Sequence, residues 1–153
     1  MNVVTQLAPP ETGPRSYFTT DHRRCDDEWA AVEAAAEAGA AAVASAFAAF
    51  ESHTRRHFDL EENLLFPAVE AVMPHAAGPT GMMRAEHRQM RGVLDRMRSA
   101  ADGGRIDELL DLGDTLLMVV QQHNMKEEGI LYPMCEQSLR DTWASLVPRL
   151  PRD

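Results

Sequence analysis

The chain has 153 residues, 44% hydrophobic and 25% charged, values that fit one globular domain burying about two-thirds of its unfolded surface. Its net charge of −9 argues against nucleic acid and anionic membranes as partners, because both require a basic face. Two cysteines are too few for a disulfide scaffold, and neither a signal peptide nor an apolar run of membrane-spanning length is visible. These features predict a cytoplasmic protein.

Helices dominate the predicted elements, because alanine is frequent and aromatic residues make up only 6% of the chain. Residues 1–16 contain three of the nine prolines and no periodicity, which predicts a flexible N-terminal arm. Four helical segments follow, at about 21–38, 40–72, 80–100 and 105–136.

The breaks between these segments are predicted from glycine and proline. Gly39 is the only interruption between the first two segments, and a single helix over 22–72 is the alternative. We expect the break, because half of so long a helix would be exposed. The sequence "MPHAAGPTG" at 73–81 predicts the clearest loop, and "DGG" at 102–104 another. We expect a bundle domain followed by a C-terminal tail, at 17–140 and 141–153.

Apolar residues recur at alternating spacings of four and three in the last three segments, which is the pattern of helices packed side by side. The predicted fold is all-α, an antiparallel up-down-up-down four-helix bundle. Five polar residues stand at positions of this apolar pattern: His57, Glu61, His87, His123 and Glu127. They should project inward, where an unpaired polar group costs several kcal/mol.

An eleven-residue motif, H-x-x-x-E-E-x-x-L-x-P, occurs at 57–67 and again at 123–133. In a helix, the His and the first Glu of each copy lie on one face, about 6 Å apart along the axis. The second Glu, at Glu62 and Glu128, points about 100° away and should be solvated or support the site from outside. The proline of each copy should kink or end its helix.

The two remaining core histidines extend this motif to an internal repeat. His22 and His57 lie at nearly equal distances from the turn of the first predicted hairpin, and His87 and His123 from that of the second. Each pair should therefore face one another in two pseudo-repeated helical hairpins. The alternative is a plain bundle whose histidines are paired with carboxylates. We favour a metal site, because burying two carboxylates without a cation is costly.

Four further residues are candidate neighbours of this site. His75 should be exposed in the proline-rich loop, whereas His53 could support the site from outside or replace a ligand. Cys25 is either a small packing residue or a redox-reactive thiol. Arg91 should belong to a solvated arginine face, and the alternative is that it faces partly inward and pairs with Glu86 or with a bound anion.

These features resemble a hemerythrin-like (HHE cation-binding) domain over roughly residues 17–140. The matching residues are His22, His57, Glu61, His87, His123 and Glu127. The resemblance implies an antiparallel four-helix bundle that holds two non-haem iron ions bridged by carboxylates, with an oxide or hydroxide as a further bridge. Oxygen-carrying hemerythrins have a fifth histidine where this chain has Arg91, so the four-histidine branch is the closer match.

The donor set predicts the chemistry. Four imidazoles and two carboxylates suit iron, with manganese as the alternative, better than Ca²⁺ or Mg²⁺. An open coordination position would bind O₂, NO or peroxide, and we expect sensing, scavenging or storage. A catalase-like or ferrous-oxidising enzyme is one alternative, and a metal-stabilised interaction module is another.

Overall fold

The computed structural model describes residues 12–152, and this part of the chain is helical without any strand. The all-α prediction is therefore confirmed. Most of the predicted N-terminal arm, residues 1–11, lies outside the described residues, and α1 already begins at Pro14. Among the described helices, none has the combination of length and hydropathy that a membrane crossing needs.

Four long helices form the body of the fold, and shorter helical pieces extend or connect them. The long helices are α1 (Pro14–Ala35), α2 (Ala40–Leu60), α4 (Ala77–Asp102) and α5 (Ile106–Lys126). The shorter α-helices are α3 (Phe66–Val72), α6 (Tyr132–Ser138) and α7 (Trp143–Leu146). Single 3₁₀ turns occupy Ala36–Ala38, Pro74–Ala76 and Val147–Arg149.

The predicted break at Gly39 is present. Gly39 adopts φ 102° at the N-terminus of α2, a backbone conformation that side chains with a Cβ strongly disfavour. The second predicted turn is also present, where Gly104 adopts φ 70° between α4 and α5. These two glycines therefore separate the long helices of each predicted hairpin.

The loop predicted at 73–81 is mostly helix, so that prediction was wrong in part. Only Met73 is non-helical, and α4 begins at Ala77. Pro79 lies in the first turn of α4, where the backbone N–H groups have no partner within the helix, so its missing N–H costs nothing. The Thr80 hydroxyl donates to the Ala76 carbonyl over 3.0 Å and helps to fix this first turn.

Both motif copies contain a π-helical stretch, at Glu61–Leu65 and at Glu127–Leu131. The carbonyl of each first glutamate accepts from the N–H five residues later, and α-helix then resumes. Pro67 and Pro133 each lie in the first turn of the resumed helix. The chain therefore accommodates each proline by widening one turn, as π-bulges do, and the helical path continues where the sequence predicted a kink or an end.

Two apolar clusters make up the core. One contains Phe18, Leu64, Met83 and Leu131, and the other contains Trp29, Phe50, Met90 and Leu116. Along each of the four helical paths, a residue of the first cluster and a residue of the second flank the polar motif residues. The candidate site therefore occupies a polar layer with apolar packing on both sides.

The segment predicted as a C-terminal tail belongs to this core. Trp143, Leu146 and Leu150 are buried in the first cluster. The Tyr17 hydroxyl, on α1, also donates to the Pro151 carbonyl over 3.1 Å. The residues after α6 thus close the end of the bundle beneath the polar layer.

Candidate metal centre

The six residues singled out by the repeat lie together in the polar layer. His22 is on α1, His87 is on α4, and the two motif copies supply His57 with Glu61 and His123 with Glu127. All six side chains are buried, and the exposed fraction of both glutamates is 0%. The widened π turns begin at these glutamates, so the helical irregularity and the carboxylates coincide.

Their donor atoms form two groups that can each hold a metal ion. One consists of Glu61, His87, His123 and Glu127, and the other of His22, His57 and Glu127, with the atoms of each group within 4.8 Å of one another. The ring centroids of His22 and His57 are 4.6 Å apart, and those of His87 and His123 are 4.9 Å apart. The two rings of each pair therefore lie opposite one another, as the equal distances from the predicted turns indicate.

Each carboxylate lies between two histidines, one from each histidine pair. Glu61 Oε1 is 3.1 Å from His57 Nε2 and 3.3 Å from His87 Nε2. Glu127 Oε1 is 3.0 Å from His123 Nε2 and 3.1 Å from His22 Nε2. Glu127 therefore belongs to both donor groups, whereas Glu61 belongs to the larger group and contacts one histidine of the smaller group.

A second ring of carboxylates lies next to the outer nitrogen, Nδ1, of the four histidines. Three of these nitrogens are hydrogen-bonded to a carboxylate, and His87 Nδ1 is buried without a hydrogen-bond partner. The pairs are His57 with Asp21 at 2.8 Å, His123 with Glu86 at 2.8 Å, His22 with Glu128 at 2.9 Å and His87 with Glu62 at 3.5 Å. An Nδ1–H that donates to a carboxylate leaves the lone pair on Nε2, which faces the centre. This tautomer is the one that binds a metal through Nε2.

The sequence predicted this outer ring only in part. Glu62 and Glu128 were expected to be solvated or to support the site, and they contact His87 and His22. Asp21 and Glu86 were missed as histidine partners. A signal existed, because an acidic residue directly precedes the lone histidine of each repeat, as "DH" and "EH".

The carboxylates change the pKa values of the buried histidines. Burial alone would lower the pKa of His57, but Glu61 and Asp21 outweigh burial and raise that pKa well above its usual value. Burial would likewise raise the pKa of Glu61, but His57 and His87 lower it well below its ordinary range. The pKa values of His22 and His123 are also raised, against the effect of burial, by hydrogen bonds to Glu127 and other carboxylates. Protons therefore supply the cationic charge that these carboxylates demand when no metal is bound.

Buried polar atoms of the site that lack hydrogen-bond partners indicate that these residues fit metal ions. Glu61 Oε1 and Glu127 Oε2 are buried without a hydrogen-bond partner, which is costly for a carboxylate. His87 Nε2 and His123 Nε2 face one another at 3.2 Å, so two lone pairs would meet there if both rings were neutral Nδ1–H tautomers. Cations among these atoms would satisfy all of them, and the mixed nitrogen and oxygen donors suit borderline metals.

Tyr132 is a member of this site that sequence reasoning missed. Its hydroxyl lies 2.9 Å from Glu61 Oε2 and 3.1 Å from Glu127 Oε1, so it can donate to either carboxylate. It also lies 3.1 Å from His22 Nε2 and 3.4 Å from His57 Nε2. Burial, followed by the two carboxylates, raises the pKa of Tyr132 well above its usual value. The only sequence signal was a tyrosine in the second motif copy where the first has phenylalanine.

Two other histidines lie apart from the six. His53 is half-buried and contacts Glu28 through Nδ1, and its Nε2 accepts from Arg24 Nη2 over 2.9 Å. It belongs to neither donor group. His75 is exposed at the turn before α4, as predicted.

Arg91 supports the site through another residue. Its guanidinium donates to Glu62 over 2.6 Å and to Asp59 over 2.9 Å, and Glu62 in turn faces His87 Nδ1. The alternative pairing with Glu86 was wrong, because Glu86 contacts His123 and Lys126.

A cavity of about 30 Å³ adjoins His22 and His57. Its walls are mostly apolar and include Cys25, Trp29, Phe50, Phe58, Met90 and Leu116. Gly113 leaves room for the Trp29 ring, because a Cβ at that glycine would lie 2.1 Å from the indole. Burial raises the pKa of the Cys25 thiol to about 12, so this thiol stays protonated and contributes to the wall without acting as a reactive thiolate.

Comparison with known proteins gives one family. The family described as hemerythrin HHE cation binding domain matches residues 14–135, a range that includes all six residues of the two donor groups. Curated proteins and solved structures give no match to the chain. The family match covers most of the sequence and agrees with the buried histidine and glutamate groups, so this chain belongs to the hemerythrin HHE cation-binding family.

Proposed function

We propose that this protein is a non-haem di-iron protein that binds O₂, NO or peroxide for sensing, scavenging or storage. The observation that carries the proposal is the pair of donor groups that share Glu127. Two groups with a common carboxylate suit two neighbouring ions better than one. Iron is favoured because four imidazoles and two carboxylates match its mixed nitrogen and oxygen preference, and manganese is the alternative metal.

The chain's own residues would hold and orient such a centre. The four Nε2 atoms and the two buried glutamates supply the donors, and the outer carboxylates keep His22, His57 and His123 in the Nε2-binding tautomer. The two apolar clusters on either side exclude water from the polar layer. Bound iron would supply an electron-rich position at which a small molecule can bind reversibly.

The cavity supports a neutral diatomic ligand over a charged one. Its volume of about 30 Å³ has room for roughly two water-sized spheres. Its apolar walls would make entry of an anion costly, since a charge loses its hydration there. The uncharged molecules O₂, NO and H₂O₂ are therefore favoured over hydroperoxide and other anions, and the cavity does not weaken the catalase-like alternative.

The antiparallel course of the four long helices is part of the proposal. The ring of His22 contacts that of His57, and the ring of Trp29 contacts that of Phe50. Residue numbers therefore increase along α1 in the direction in which they decrease along α2. On the second hairpin His87 pairs with His123, and Arg105 donates to the Ser99 hydroxyl. These contacts support an up-down-up-down bundle built from two similar hairpins.

Metal analysis combined with the visible spectrum tests the proposed function. The purified protein, produced with added iron, should contain two iron ions per chain. Its spectrum should change reversibly through reduction with dithionite and exposure to air, and reduced protein should also respond to NO. Zinc as the only bound metal would instead support the interaction module, and steady O₂ release from peroxide would support the enzyme.

A further inference from the structure

Tyr132 brings a further oxygen to one of the two donor groups. The group of His87, His123 and both glutamates has four donors, whereas the group of His22, His57 and Glu127 has three. The Tyr132 hydroxyl lies beside this smaller group and is fully buried. The smaller group is therefore the one that a phenol oxygen can complete.

The distances around Tyr132 are those of neighbouring ligands on one ion. Two donors that bind one metal at about 2.1 Å and at right angles lie about 3.0 Å apart. The Tyr132 oxygen is 3.1 Å from His22 Nε2, 3.4 Å from His57 Nε2 and 3.1 Å from Glu127 Oε1, which are the three donors of the smaller group. It is also 2.9 Å from Glu61 Oε2, an oxygen of the larger group. Since His22 Nε2 is itself 3.1 Å from Glu127 Oε1, these atoms are spaced to surround a common point.

The first motif copy has no equivalent of this oxygen. Phe66 stands at the position that corresponds to Tyr132, one residue before the proline. Its ring stacks on His87, with centroids 5.9 Å apart and planes 16° from parallel. The two halves of the site therefore match in their histidines and glutamates and differ in this one donor.

We infer that Tyr132 is a metal ligand, whose phenol oxygen binds the ion held by His22, His57 and Glu127. This inference rests on the proposed function, because it requires an ion at that position. On binding, the Tyr132 O–H bond breaks, the proton passes to the buffer, and an oxygen–metal bond forms without any change of oxidation state. The ligand sets of the two ions would then differ by one phenolate, with its negative charge, and the phenolate would belong to the ion next to the cavity.

The chain offers a clean test, because it contains only two tyrosines, Tyr17 and Tyr132. Tyr17 is equally buried, but its hydroxyl donates to the Pro151 carbonyl at the end of the bundle. Wild type, Tyr17→Phe and Tyr132→Phe are each loaded with iron and oxidised to the ferric state. The measurements are iron content, the visible phenolate-to-iron charge-transfer band and the resonance Raman ring modes excited in that band.

The tyrosinate band and its Raman modes should be present in wild type, retained in Tyr17→Phe and lost in Tyr132→Phe. Iron-loaded Tyr17→Phe without a tyrosinate signal would overturn the inference and leave the proposed function intact, with Tyr132 serving as a hydrogen-bond donor to the carboxylates. A signal that persists in Tyr132→Phe would overturn it as well. Wild type that binds no iron would overturn both proposals. Because Tyr17→Phe keeps Tyr132 as its only tyrosine, the result does not depend on folding of the other variant.

Discussion

At the scale of single residues, one step along a helix separates glutamates with different roles. Glu61 lies in the centre, whereas Glu62 contacts the outer nitrogen of His87 and the guanidinium of Arg91. In the second copy, Glu127 and Glu128 divide in the same way around His22. The same side chain therefore serves as a candidate ligand at one position and as a support at the next.

We predict that Glu61→Ala, and separately Glu127→Ala, will lower iron content well below that of wild type, because each removes a fully buried carboxylate donor. Glu62→Ala and Glu128→Ala are the matched controls, each removing the same charge one residue away. The controls should retain both ions at saturating iron, with affinity reduced about 10- to 100-fold. Equal loss of iron in all four variants, measured by metal analysis, would contradict this assignment.

Asp21 provides a second test at this scale. Its carboxylate accepts from His57 Nδ1 over 2.8 Å, so Asp21→Asn removes the charge that fixes the imidazole tautomer. We predict a loss of about 10- to 100-fold in metal affinity, as for other outer partners of metal-binding histidines. Competition with a chelator measures it, and Asp27→Asn, an exposed position on the same helix, should bind like wild type. Unchanged affinity in Asp21→Asn would show that His57 keeps its tautomer without this partner.

The residues that the sequence predicted and those it missed differ in what fixes their positions. His57 and Glu61 belong to one helix, whose geometry alone places them on one face. Asp21, Glu86 and Tyr132 reach the site from neighbouring helices or through a π turn. Their contacts depend on the register between helices and on side-chain rotamers, which spacing along the chain does not specify.

At the scale of helices, some helix boundaries could be predicted from the sequence and others could not. Residues 40–72 were predicted as one helical path and are one, because Gly39 at one end and Met73 at the other mark clear breaks. The loop at 73–81 was overestimated, since proline and glycine are tolerated in the first turn of α4. Helix α7 was not predicted, because the four residues of Trp143–Leu146 are too few to show a helical period.

The backbone conformation of Gly39 leads to a prediction about the connection between α1 and α2. We expect Gly39→Ala to destabilise the fold by about 1–2 kcal/mol, because its φ of 102° is unfavourable for any residue with a Cβ. A Cβ there meets no atom within 4 Å, so the cost would come from the backbone alone. Thermal melting should show a decrease of roughly 2–4 °C per kcal/mol.

Gly81→Ala is the control for this prediction. It also introduces a Cβ with no atom within 4 Å, but Gly81 lies in α4 with ordinary helical backbone and is not followed by proline. We expect it to be neutral or to stabilise the protein by about 0.4–1 kcal/mol. Iron content should stay unchanged in both variants, and equal melting temperatures for the two would rule out backbone strain at Gly39.

At the scale of the whole molecule, the bundle encloses charge that must be balanced. Glu61 and Glu127 have no exposed surface, and apolar clusters pack on both sides of them. Without metal, the raised pKa values of His22, His57 and His123 show that protons provide the balance. Metal and protons thus compete for the same nitrogens, and their effects on stability have opposite dependence on pH.

The metal-free protein should therefore be most stable at mildly acidic pH. The pKa of His57 is raised above 6.5, so its contribution is complete below that pH and is lost as pH rises through the folded-state value. The pKa of Glu61 is lowered below 4.5, so its contribution is present above that pH and is lost as pH falls through the folded-state value. The window of greatest stability without metal is then about pH 4.5–6.5.

Metal binding needs neutral histidines, and its free energy adds to that of folding. We predict that a chelator will lower the melting temperature by well over about 10 °C at pH 8, at roughly 2–4 °C per kcal/mol. The difference should shrink towards zero as pH falls below about 6, because protons displace the metal while they stabilise the metal-free form. Circular dichroism melts with and without chelator, across this pH range, measure both trends. If the two forms melt within a degree or two of each other at pH 8, the buried carboxylates are satisfied without metal and the molecule is a plain bundle with a polar core.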